Sequence, residues 1–385
     1  MEPFKNLINA TLVQTAARHL SRTVPGFDAR RFTALCVAGL DALELKARAM
    51  QIADALEATL PDDFASAAEA IEAALAPAAE DEQLSELRLS DAGLAGWILW
   101  PVGEFVARRG IAHPERALAT LAELTQRFSA EFAIRPFIVA HPHISFATLA
   151  RWAGHPNLHV RRLVSEGSRP RLPWGLQLKA LVTDPTPTLP LLRALQDDPS
   201  EYVRRSVANH LNDIAKDHPA LVAQWLEDHL PGAPAPRRAL LKHASRTLIK
   251  KGHPRVLKAW GLGAPLRGSA VLTVGPARVK LGGEVQLTLV LKSKAASAQR
   301  LVIDYAVHHV KADGSRSPKV FKGWNVELPA RGELKLNKRH SLRPITTRRY
   351  HAGLHALDVM VNGKVLAHSA FELVMPPAQA TARIA

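Results

Sequence analysis

The chain has 385 residues, of which 47% are apolar and 22% are charged, and this balance excludes a largely disordered protein. Its length suggests at least two domains, each able to bury a core of its own. Cys36 is the single cysteine, which excludes a disulfide framework and a zinc site built from cysteines.

Basic residues exceed acidic ones, 50 Lys and Arg against 35 Asp and Glu, and the excess is unevenly placed. Residues 1–130 carry a net charge of −6, residues 131–268 carry +10 and residues 269–385 carry +11. This asymmetry favours an anionic polymer as partner, and we expect a nucleic acid. Because no basic amphipathic helix with an aromatic face and no run of about 18 apolar residues stands out, we expect a soluble, cytoplasmic protein that binds no membrane.

Residues 1–267 are predicted to be helical, because Ala, Leu, Glu and Arg dominate and apolar residues recur at three- and four-residue spacing. Pairs of a polar residue and a proline recur through this region. Proline suits the first turn of a helix, and the residue before it disfavours helical dihedral angles. The predicted helix starts are His113-Pro114, His141-Pro142, His155-Pro156, Asp184-Pro185, Asp198-Pro199, His218-Pro219 and His253-Pro254.

Two segments of the helical region are alike. Residues 198–207 repeat the pattern of residues 155–164, since both place Val-Arg-Arg four residues after the proline of an X-Pro pair, at an offset of 43 residues. That offset falls within the period of about 40–47 residues that is typical of paired-helix HEAT repeats. The sequence therefore predicts an all-α solenoid of HEAT-like repeats over residues 1–267, with one helix of each pair on the concave face.

The pattern changes to strands after Gly268. Val285, Leu287, Leu289 and Leu291 recur at the two-residue spacing of a strand, and Asp313-Gly314, Asn362-Gly363 and Gly282-Gly283 supply turns. About seven short strands predict an all-β, immunoglobulin-like sandwich over residues 268–375. His308-His309 is a poor metal pair, because neighbours on a strand face opposite ways. We interpret residues 376–385 as a tail and the acidic stretch Glu80-Asp81-Glu82 as a solvated linker.

Charged side chains with catalytic potential cluster between residues 131 and 213. Arg162 and Glu166 share a helix face through their spacing of four, beside Arg169, and Glu131 opens the helix before them. In the next repeat, Arg205, Asn209 and Asp213 run at the same spacing, and Trp174 lies in the turn between the repeats. We expect stacking of the repeats to bring these residues into one groove.

Carboxylates in a groove that faces a polyanion lower the affinity of the groove for that polyanion, so their presence needs an explanation. One reason is catalysis: hydrolysis of the glycosidic bond of a positively charged base creates oxocarbenium character on the sugar, which a carboxylate stabilises while it orients a water. The alternatives are that Arg–Glu pairs at spacing four are surface or inter-repeat ties and that Trp174 is a core residue.

Residues 131–138 and 152–174 resemble the AlkC branch of the HEAT-like-repeat DNA alkylation repair glycosylases, most specifically in the run Ser-Glu-Gly-Ser-Arg-Pro-Arg-Leu-Pro-Trp at 165–174. Phe27-Asp28 and residues 43–48 are similar to the start of that family. The resemblance covers residues 1–267, and the C-terminal sandwich resembles the immunoglobulin-like domain of one AlkC subgroup.

The resemblance implies excision of cationic N-methylated bases, such as 3-methyladenine and 3-methylcytosine, from double-stranded DNA, without metal or cofactor and without a base pocket. It implies that Glu131, Glu166 and Asp213 surround the sugar and that Trp174 packs against it. Arg162 and Arg169 would hold phosphates, and the sandwich would contact the DNA from the other side. The residues expected to contact DNA are Arg135, Arg161, Arg162, Arg169, Arg171, Arg204, Arg205, Asn209, Arg348 and Arg349.

The sequence leaves a second function open. A non-catalytic HEAT-repeat scaffold for nucleic acid or an acidic protein would explain the repeats and the charge equally well, although it would not explain the carboxylates and the tryptophan among the arginines. We expect a monomer in either case.

Overall fold

The computed structural model of the protein describes residues 3–79, 81–84, 87–346 and 348–375. Its α-helices are α1 (Ala10–Thr23), α2 (Ala29–Val37), α3 (Leu45–Glu57), α4 (Phe64–Ala73), α5 (Leu99–Arg109), α6 (Pro114–Thr125), α7 (Arg135–Ala140), α8 (Pro142–Trp152), α9 (Leu158–Gly167), α10 (Lys179–Thr183), α11 (Leu189–Leu195), α12 (Glu201–Asp217), α13 (Pro219–His229), α14 (Ala235–Ala244), α15 (Arg246–Lys250) and α16 (Pro254–Ala259). The predicted fold class, helices followed by an immunoglobulin-like sheet domain, is confirmed.

The X-Pro pairs mark helix starts in two ways. Pro114, Pro142, Pro219 and Pro254 are the first residues of their helices, as predicted. In the two similar repeats the proline comes earlier, and the residue after it caps the helix. The Asn157 side chain accepts a hydrogen bond from the His159 N–H, and the Ser200 side chain accepts one from the Val203 N–H.

Compactness divides the chain into two units. The first unit comprises Met1–His218 and Ala233–Ala244, and the second comprises Pro219–Gly232 and Ser245–Ala385. The expected change at 267/268 marks where helix gives way to strand, but α13, α15 and α16 belong to the same compact unit as the sheets. Sequence composition does not reveal this grouping, because these helices have the same amphipathic pattern as those before them.

In the first unit, the helices that carry the two similar segments pack on each other. α8 contacts α9, α11 contacts α12, α9 lies against α12, and α12 lies against α14. His210 of α12 donates a hydrogen bond from Nδ1 to the Ser165 carbonyl of α9 over 2.9 Å. The offset of 43 residues thus corresponds to stacked helix pairs.

The described residues of the second unit form eight strands rather than about seven. They are β1 (Gly268–Gly275), β2 (Arg278–Lys280), β3 (Glu284–Ser293), β4 (Gln299–Val310), β5 (Arg316–Leu328), β6 (Glu333–Ser341), β7 (Gly353–Val361) and β8 (Lys364–Val374). A three-stranded sheet has the order β1-β3-β6, and a five-stranded sheet has the order β2-β8-β7-β4-β5. The additional strand is β2, whose three residues pair in parallel with β8.

The turns and the inward faces of the sheets are as predicted. Val285, Leu287, Leu289 and Leu291 of β3 are fully buried. Asn362 and Gly363 both have positive φ angles in the two-residue turn between β7 and β8. His308 bonds to Asp358 while the ring of the neighbouring His309 packs against other side chains, so the two histidines do face opposite ways. The predicted tail at 376–385 lies outside the described residues.

Candidate active site

A cavity of about 830 Å³ lies in the first unit and contains most of the predicted catalytic groups. Its charged lining residues and its serine are Glu82, Arg88, Ser129, Glu131, Arg162, Glu166 and Arg169. α9 brings Arg162 and Glu166 to the cavity at a spacing of four, and the turn before α7 supplies Glu131. The cavity therefore brings together α9 and the turn before α7, which are separate in the sequence.

Glu131 is the most accessible of the three predicted carboxylates, with a side chain that is 18% exposed. Its Oε2 accepts hydrogen bonds from Ser129 Oγ over 2.7 Å and from Arg162 Nη1 over 3.1 Å. No hydrogen bond reaches its Oε1 from residues 3–79, 81–84, 87–346 or 348–375. One oxygen is thus fixed by protein donors and the other is available to a ligand in the cavity.

Glu166 is more buried and is bonded through both oxygens. Oε1 accepts from Arg169 Nη1 and Oε2 accepts from Ser206 Oγ, each over 2.5 Å. Arg162 Nη2 lies 3.7 Å from Oε2. Burial opposes ionisation of this carboxyl, but Arg162 and Arg169 outweigh burial and hold its pKa below the ordinary value. Glu166 is therefore a fixed anion beside the cavity.

Asp213 does not line the cavity. Its side chain is 2% exposed, and it accepts hydrogen bonds from Arg169 Nε and Lys216 Nζ, each over 2.8 Å. Since both oxygens are bonded to cations, Asp213 touches the site through Arg169. The sequence correctly predicts that Asp213 lies close to Glu166, but in this arrangement the carboxylate orients an arginine rather than facing a substrate.

Arg162 joins the two carboxylates that line the cavity, and its guanidinium carbon lies 4.8 Å from the centre of the Tyr202 ring. Burial favours its neutral form, but the charges of Glu131 and Glu166 outweigh burial and raise its pKa. A guanidinium over an aromatic face gains a cation–π attraction. Both guanidiniums bind carboxylates of the protein, and the expected phosphate contacts of Arg162 and Arg169 stay predictions.

Trp174 lies on the rim of the cavity with 84% of its surface exposed. Its φ angle of 63° is in the left-handed region, which is rare for a bulky residue. It is not a core residue, so that alternative is wrong. A large aromatic ring held exposed on a strained turn is available to a ligand rather than to the protein core.

Other expected DNA contacts are engaged in holding the chain together. Arg135 is fully buried and donates to two backbone carbonyls, so its expected contact with a phosphate is wrong. Arg161 and Arg204 each donate to the two carbonyls of an X-Pro turn. Arg171 forms a two-point ion pair with Asp217.

The remaining expected contacts lie outside the cavity. Arg205 is exposed and pairs with Glu201, and Asn209 Oδ1 lies 2.9 Å from His243 Nε2. In the second unit, Arg349 is exposed and Arg348 Nη1 donates to His309 Nε2. These residues stay predictions as DNA contacts.

Apart from Trp174, the sequence did not predict the aromatic lining of the cavity. Its members are Phe4, Trp97, Trp100, Phe128, Phe132, Trp174 and Tyr202. Trp97 and Phe128 are in ring contact with centres 5.3 Å apart, and Trp100 and Phe132 with centres 5.6 Å apart. Among the members that were not predicted, only Tyr202 carries a sequence signal, since it and His159 directly precede Val-Arg-Arg in the two repeats and their rings meet edge to face.

The acidic stretch also has a role that the linker interpretation missed. Glu82 Oε1 accepts hydrogen bonds from Ser200 Oγ over 2.6 Å and from the Tyr202 N–H over 3.4 Å. It thus supports the N-terminus of α12 and lines the cavity. Asp81 and Glu82 are exposed as expected, whereas Glu80 lies outside the described residues.

Among the described residues, no group of three or more His, Cys, Asp or Glu side chains is arranged to hold a metal ion. No helix in the same part of the chain is long and apolar enough to cross a membrane.

Comparison with known proteins places this site in a family. Residues 128–248 match the family model described as a DNA alkylation repair enzyme, and residues 269–375 match the C-terminal immunoglobulin-like domain of YhaZ. A solved alkylpurine DNA glycosylase AlkC from Pseudomonas fluorescens, bound to DNA that contains an abasic site analogue, is 35% identical. The match covers 97% of this chain and 100% of that one, with a TM-score of 0.86. The chain belongs to the AlkC family.

A curated relative is also similar over most of the chain. The uncharacterised protein YhaZ of Bacillus subtilis (strain 168) is 36% identical over 370 residues, which cover 95% of this chain and 98% of the relative. The AlkC-like fold therefore includes both the helical region with its cavity and the sheet domain. The predicted resemblance to an AlkC subgroup that carries an immunoglobulin-like domain is confirmed.

Proposed function

We propose that the protein is a DNA glycosylase of base excision repair that hydrolyses the N-glycosidic bond of cationic alkylated bases, such as 3-methyladenine and 3-methylcytosine. The observation that carries this proposal is the unbonded Oε1 of Glu131 in a cavity beside the ionised Glu166. The DNA bound to the similar Pseudomonas enzyme supports double-stranded DNA as the partner. The enzyme would act as a monomer in the bacterial cytosol.

The chemistry begins with the lesion itself. The bond between sugar C1′ and the base nitrogen breaks with its electron pair passing to the base, which thereby loses its positive charge. Positive charge appears on the sugar instead, as an oxocarbenium ion. Fixed carboxylates next to this charge stabilise the transition state without reorganisation, which is the main source of catalysis in such sites.

Glu131 and Glu166 have different parts in this reaction. Oε1 of Glu131 accepts a hydrogen bond from a water, the water oxygen adds to C1′, and the released proton passes through the carboxylate to solvent. Glu166 cannot take that proton readily, because both of its oxygens accept hydrogen bonds from protein donors. It acts through its charge, and Asp213 acts by holding Arg169 against it.

The arginines in this site keep the carboxylates ionised and in place. Arg162 binds Glu131 and lies next to Glu166, and Arg169 binds Glu166 and Asp213. Trp174 offers the sugar an exposed aromatic face. Because the lesion's own charge makes the base a good leaving group, the reaction needs no cofactor, no specific base pocket and no rotation of the base out of the helix.

The test is the release of free 3-methyladenine from methylated DNA by the wild-type protein and by Glu131→Gln. We expect wild-type release to fall about a hundred- to a thousandfold in the variant, with DNA binding retained, because glutamine removes the charge and the proton acceptor. Glu123→Gln is the matched control, since Glu123 forms a surface pair with Arg127.

Two other outcomes of this test would lead to different conclusions. Full activity of Glu131→Gln together with an inactive Glu166→Gln variant would move the water-activating role to Glu166. Bound DNA with no methylated base released by the wild type would contradict the proposal and support the non-catalytic scaffold.

A further inference from the structure

The turn of residues 168–176, between α9 and the segment that leads to α10, carries two groups of the proposed site. Arg169 near its start contacts both Glu166 and Asp213, and Trp174 near its end lines the cavity. The left-handed backbone of Trp174 is strained, and its exposed ring makes little compensating contact. Such a conformation persists only where the surrounding structure imposes it.

Arg135 of α7 binds the backbone on both sides of this turn. Its Nη1 donates to the Gly167 carbonyl over 2.8 Å, and its Nε donates to the Leu176 carbonyl over 2.5 Å. The side chain is fully buried, so its donor atoms are shielded from water, and the bond to Gly167 is buried. One guanidinium thus fixes the distance between the two ends of the turn.

Packing around the guanidinium leaves little room for another arrangement. A Cβ added at Gly175 would lie 3.0 Å from Leu172 Cδ2 and 3.4 Å from Arg135 Cδ. A Cβ added at Gly167 would lie 2.6 Å from Ile134 Cγ2. Glycine at both positions lets the turn approach the arginine closely enough for the two hydrogen bonds.

Arg135 also stays charged at neutral pH despite its burial. Burial and the neighbouring Arg169 lower its pKa to about 10, while Glu131, Asp213 and Glu166 oppose that decrease. A charged donor makes stronger hydrogen bonds to carbonyls than a neutral one does. The cluster of carboxylates therefore stabilises the cation that holds the turn.

We propose that Arg135 is a positioning residue, which clamps the ends of the turn at Gly167 and Leu176 and thereby sets the places of Arg169 and Trp174. The catalytic importance of the positions of Arg169 and Trp174 rests on the proposed function, whereas the clamping of the turn by Arg135 does not. Lysine cannot replace the clamp, because its single ammonium lacks the planar fork that reaches two carbonyls at once. Of the other ties of the turn, the ion pairs of Arg169 are buried, whereas the ion pair of Arg171 with Asp217 is near the surface.

The test follows the position of Trp174 directly. The protein is labelled with 5-fluorotryptophan, and the ¹⁹F resonance of Trp174 is assigned by its loss in Trp174→Phe. We expect Arg135→Lys and Arg135→Met to shift and broaden this resonance while those of Trp97 and Trp100 stay in place. Trypsin should also cut the Arg171–Leu172 bond at least several times faster in both variants.

Arg48→Lys is the matched control, since Arg48 is likewise buried and donates to four backbone carbonyls, those of Lys5, Ile8, Asp41 and Leu43. It should leave the Trp174 resonance and the trypsin rate unchanged. Thermal unfolding of every variant shows that the fold is intact, and Arg135→Lys, which keeps the charge, is the variant expected to fold if Arg135→Met does not.

An unchanged Trp174 resonance in a folded Arg135→Lys protein would overturn the clamp, and so would an equal change in Arg48→Lys. If the protein is a glycosylase, Arg135→Met should also lower kcat by about a hundredfold with less effect on KM, because a displacement of about 1 Å has that cost. A wild-type protein without glycosylase activity would contradict the proposed function. The ¹⁹F and trypsin results would still test the clamp.

Discussion

The helices α9 and α12 carry the same Val-Arg-Arg motif, yet only one of them supplies a charged pair to the cavity. The first arginine has the same role in both, because Arg161 and Arg204 each donate to the carbonyls of the X-Pro turn before their helix. The second arginine differs: Arg162 is bound by Glu131 and Glu166, whereas Arg205 lies on the surface beside Glu201.

The difference arises from the partners rather than from the helices. Glu131 comes from a turn outside the repeat, and Ser206 of α12 donates to Glu166 of α9. The repeat thus provides the scaffold, and segments outside its motif make one copy a site. A repeated motif predicts a shared structural role more reliably than a shared chemical one.

The largest effect expected from this comparison is that of Arg162→Ala. Removing one partner of a buried ion pair leaves Glu131 without an ion pair and Glu166 with Arg169 alone, and it costs about 3–5 kcal/mol of unfolding free energy. The equivalent change Arg205→Ala removes an exposed pair and should cost less than about 1 kcal/mol. Urea unfolding followed by circular dichroism measures both.

Similar losses of unfolding free energy in Arg162→Ala and Arg205→Ala would show that the ion pairs of Arg162 stabilise the fold no more than a surface pair does. That result would remove the distinction between the two copies. Base release by the folded fraction of Arg162→Ala provides a second readout, and we expect a fall of about a hundredfold because Arg162 no longer holds Glu131 and Glu166 ionised and in place.

The sequence predicted the helices, the sheet domain, the repeat offset and the proximity of Glu166, Asp213 and Arg169. The prediction that Arg205 and Asp213 share one helix face was wrong, because residues four apart do not lie at the same angle around a helix. Steps of four residues advance by about 40° around a helix beyond a full turn, so Arg205 and Asp213 diverge by about 80°. Ser206, seven residues before Asp213, is the residue of α12 that reaches Glu166.

Two other features lie beyond sequence reasoning for a physical reason. The aromatic lining comes from residues between 4 and 202 with no common spacing, and only tertiary packing brings them together. Arginines look alike in sequence whether they bind phosphates or backbone carbonyls. Burial decides between these roles, as it does for Arg135, and burial is a property of the fold.

A second prediction concerns the contact between α9 and α12. His210 is fully buried, and burial lowers its pKa from 6.5 to about 4, although its hydrogen bond to the Ser165 carbonyl favours the charged form. Between these pH values the unfolded chain binds a proton at this residue and the folded protein does not. Stability from His210 is therefore complete above about pH 6.5 and is lost as the pH falls towards 4, by about 3 kcal/mol.

His210→Asn should remove that part of the pH dependence. Asparagine can still donate a hydrogen bond to the Ser165 carbonyl but does not titrate. Urea unfolding of both proteins between pH 4 and 7 gives the difference, in which the contributions of buried histidines elsewhere, such as His309 and His340, cancel. Parallel stability curves for the two proteins would contradict the assignment of this titration to His210.

The smallest expected effects test the role that the two helices share. Arg204→Ala removes two hydrogen bonds to the Asp198 and Pro199 carbonyls and should lower the unfolding free energy by about 1 kcal/mol. Arg161→Ala should cost about 2–3 kcal/mol, because it also leaves the buried Asp198 carboxylate without its ion pair. Equal losses of unfolding free energy in the two variants would mean that the ion pair between Arg161 and Asp198 contributes nothing to stability.

The same two variants decide whether these arginines bind DNA. If they only hold the X-Pro turns, the folded variants should bind DNA with the salt dependence of the wild type, measured by fluorescence anisotropy over a range of salt concentrations. A slope of log K against log[salt] that is smaller by about one for each variant would instead identify a lost phosphate contact. In that case Arg161 and Arg204 would leave their carbonyls on binding, and the shared role of the two helices would include DNA.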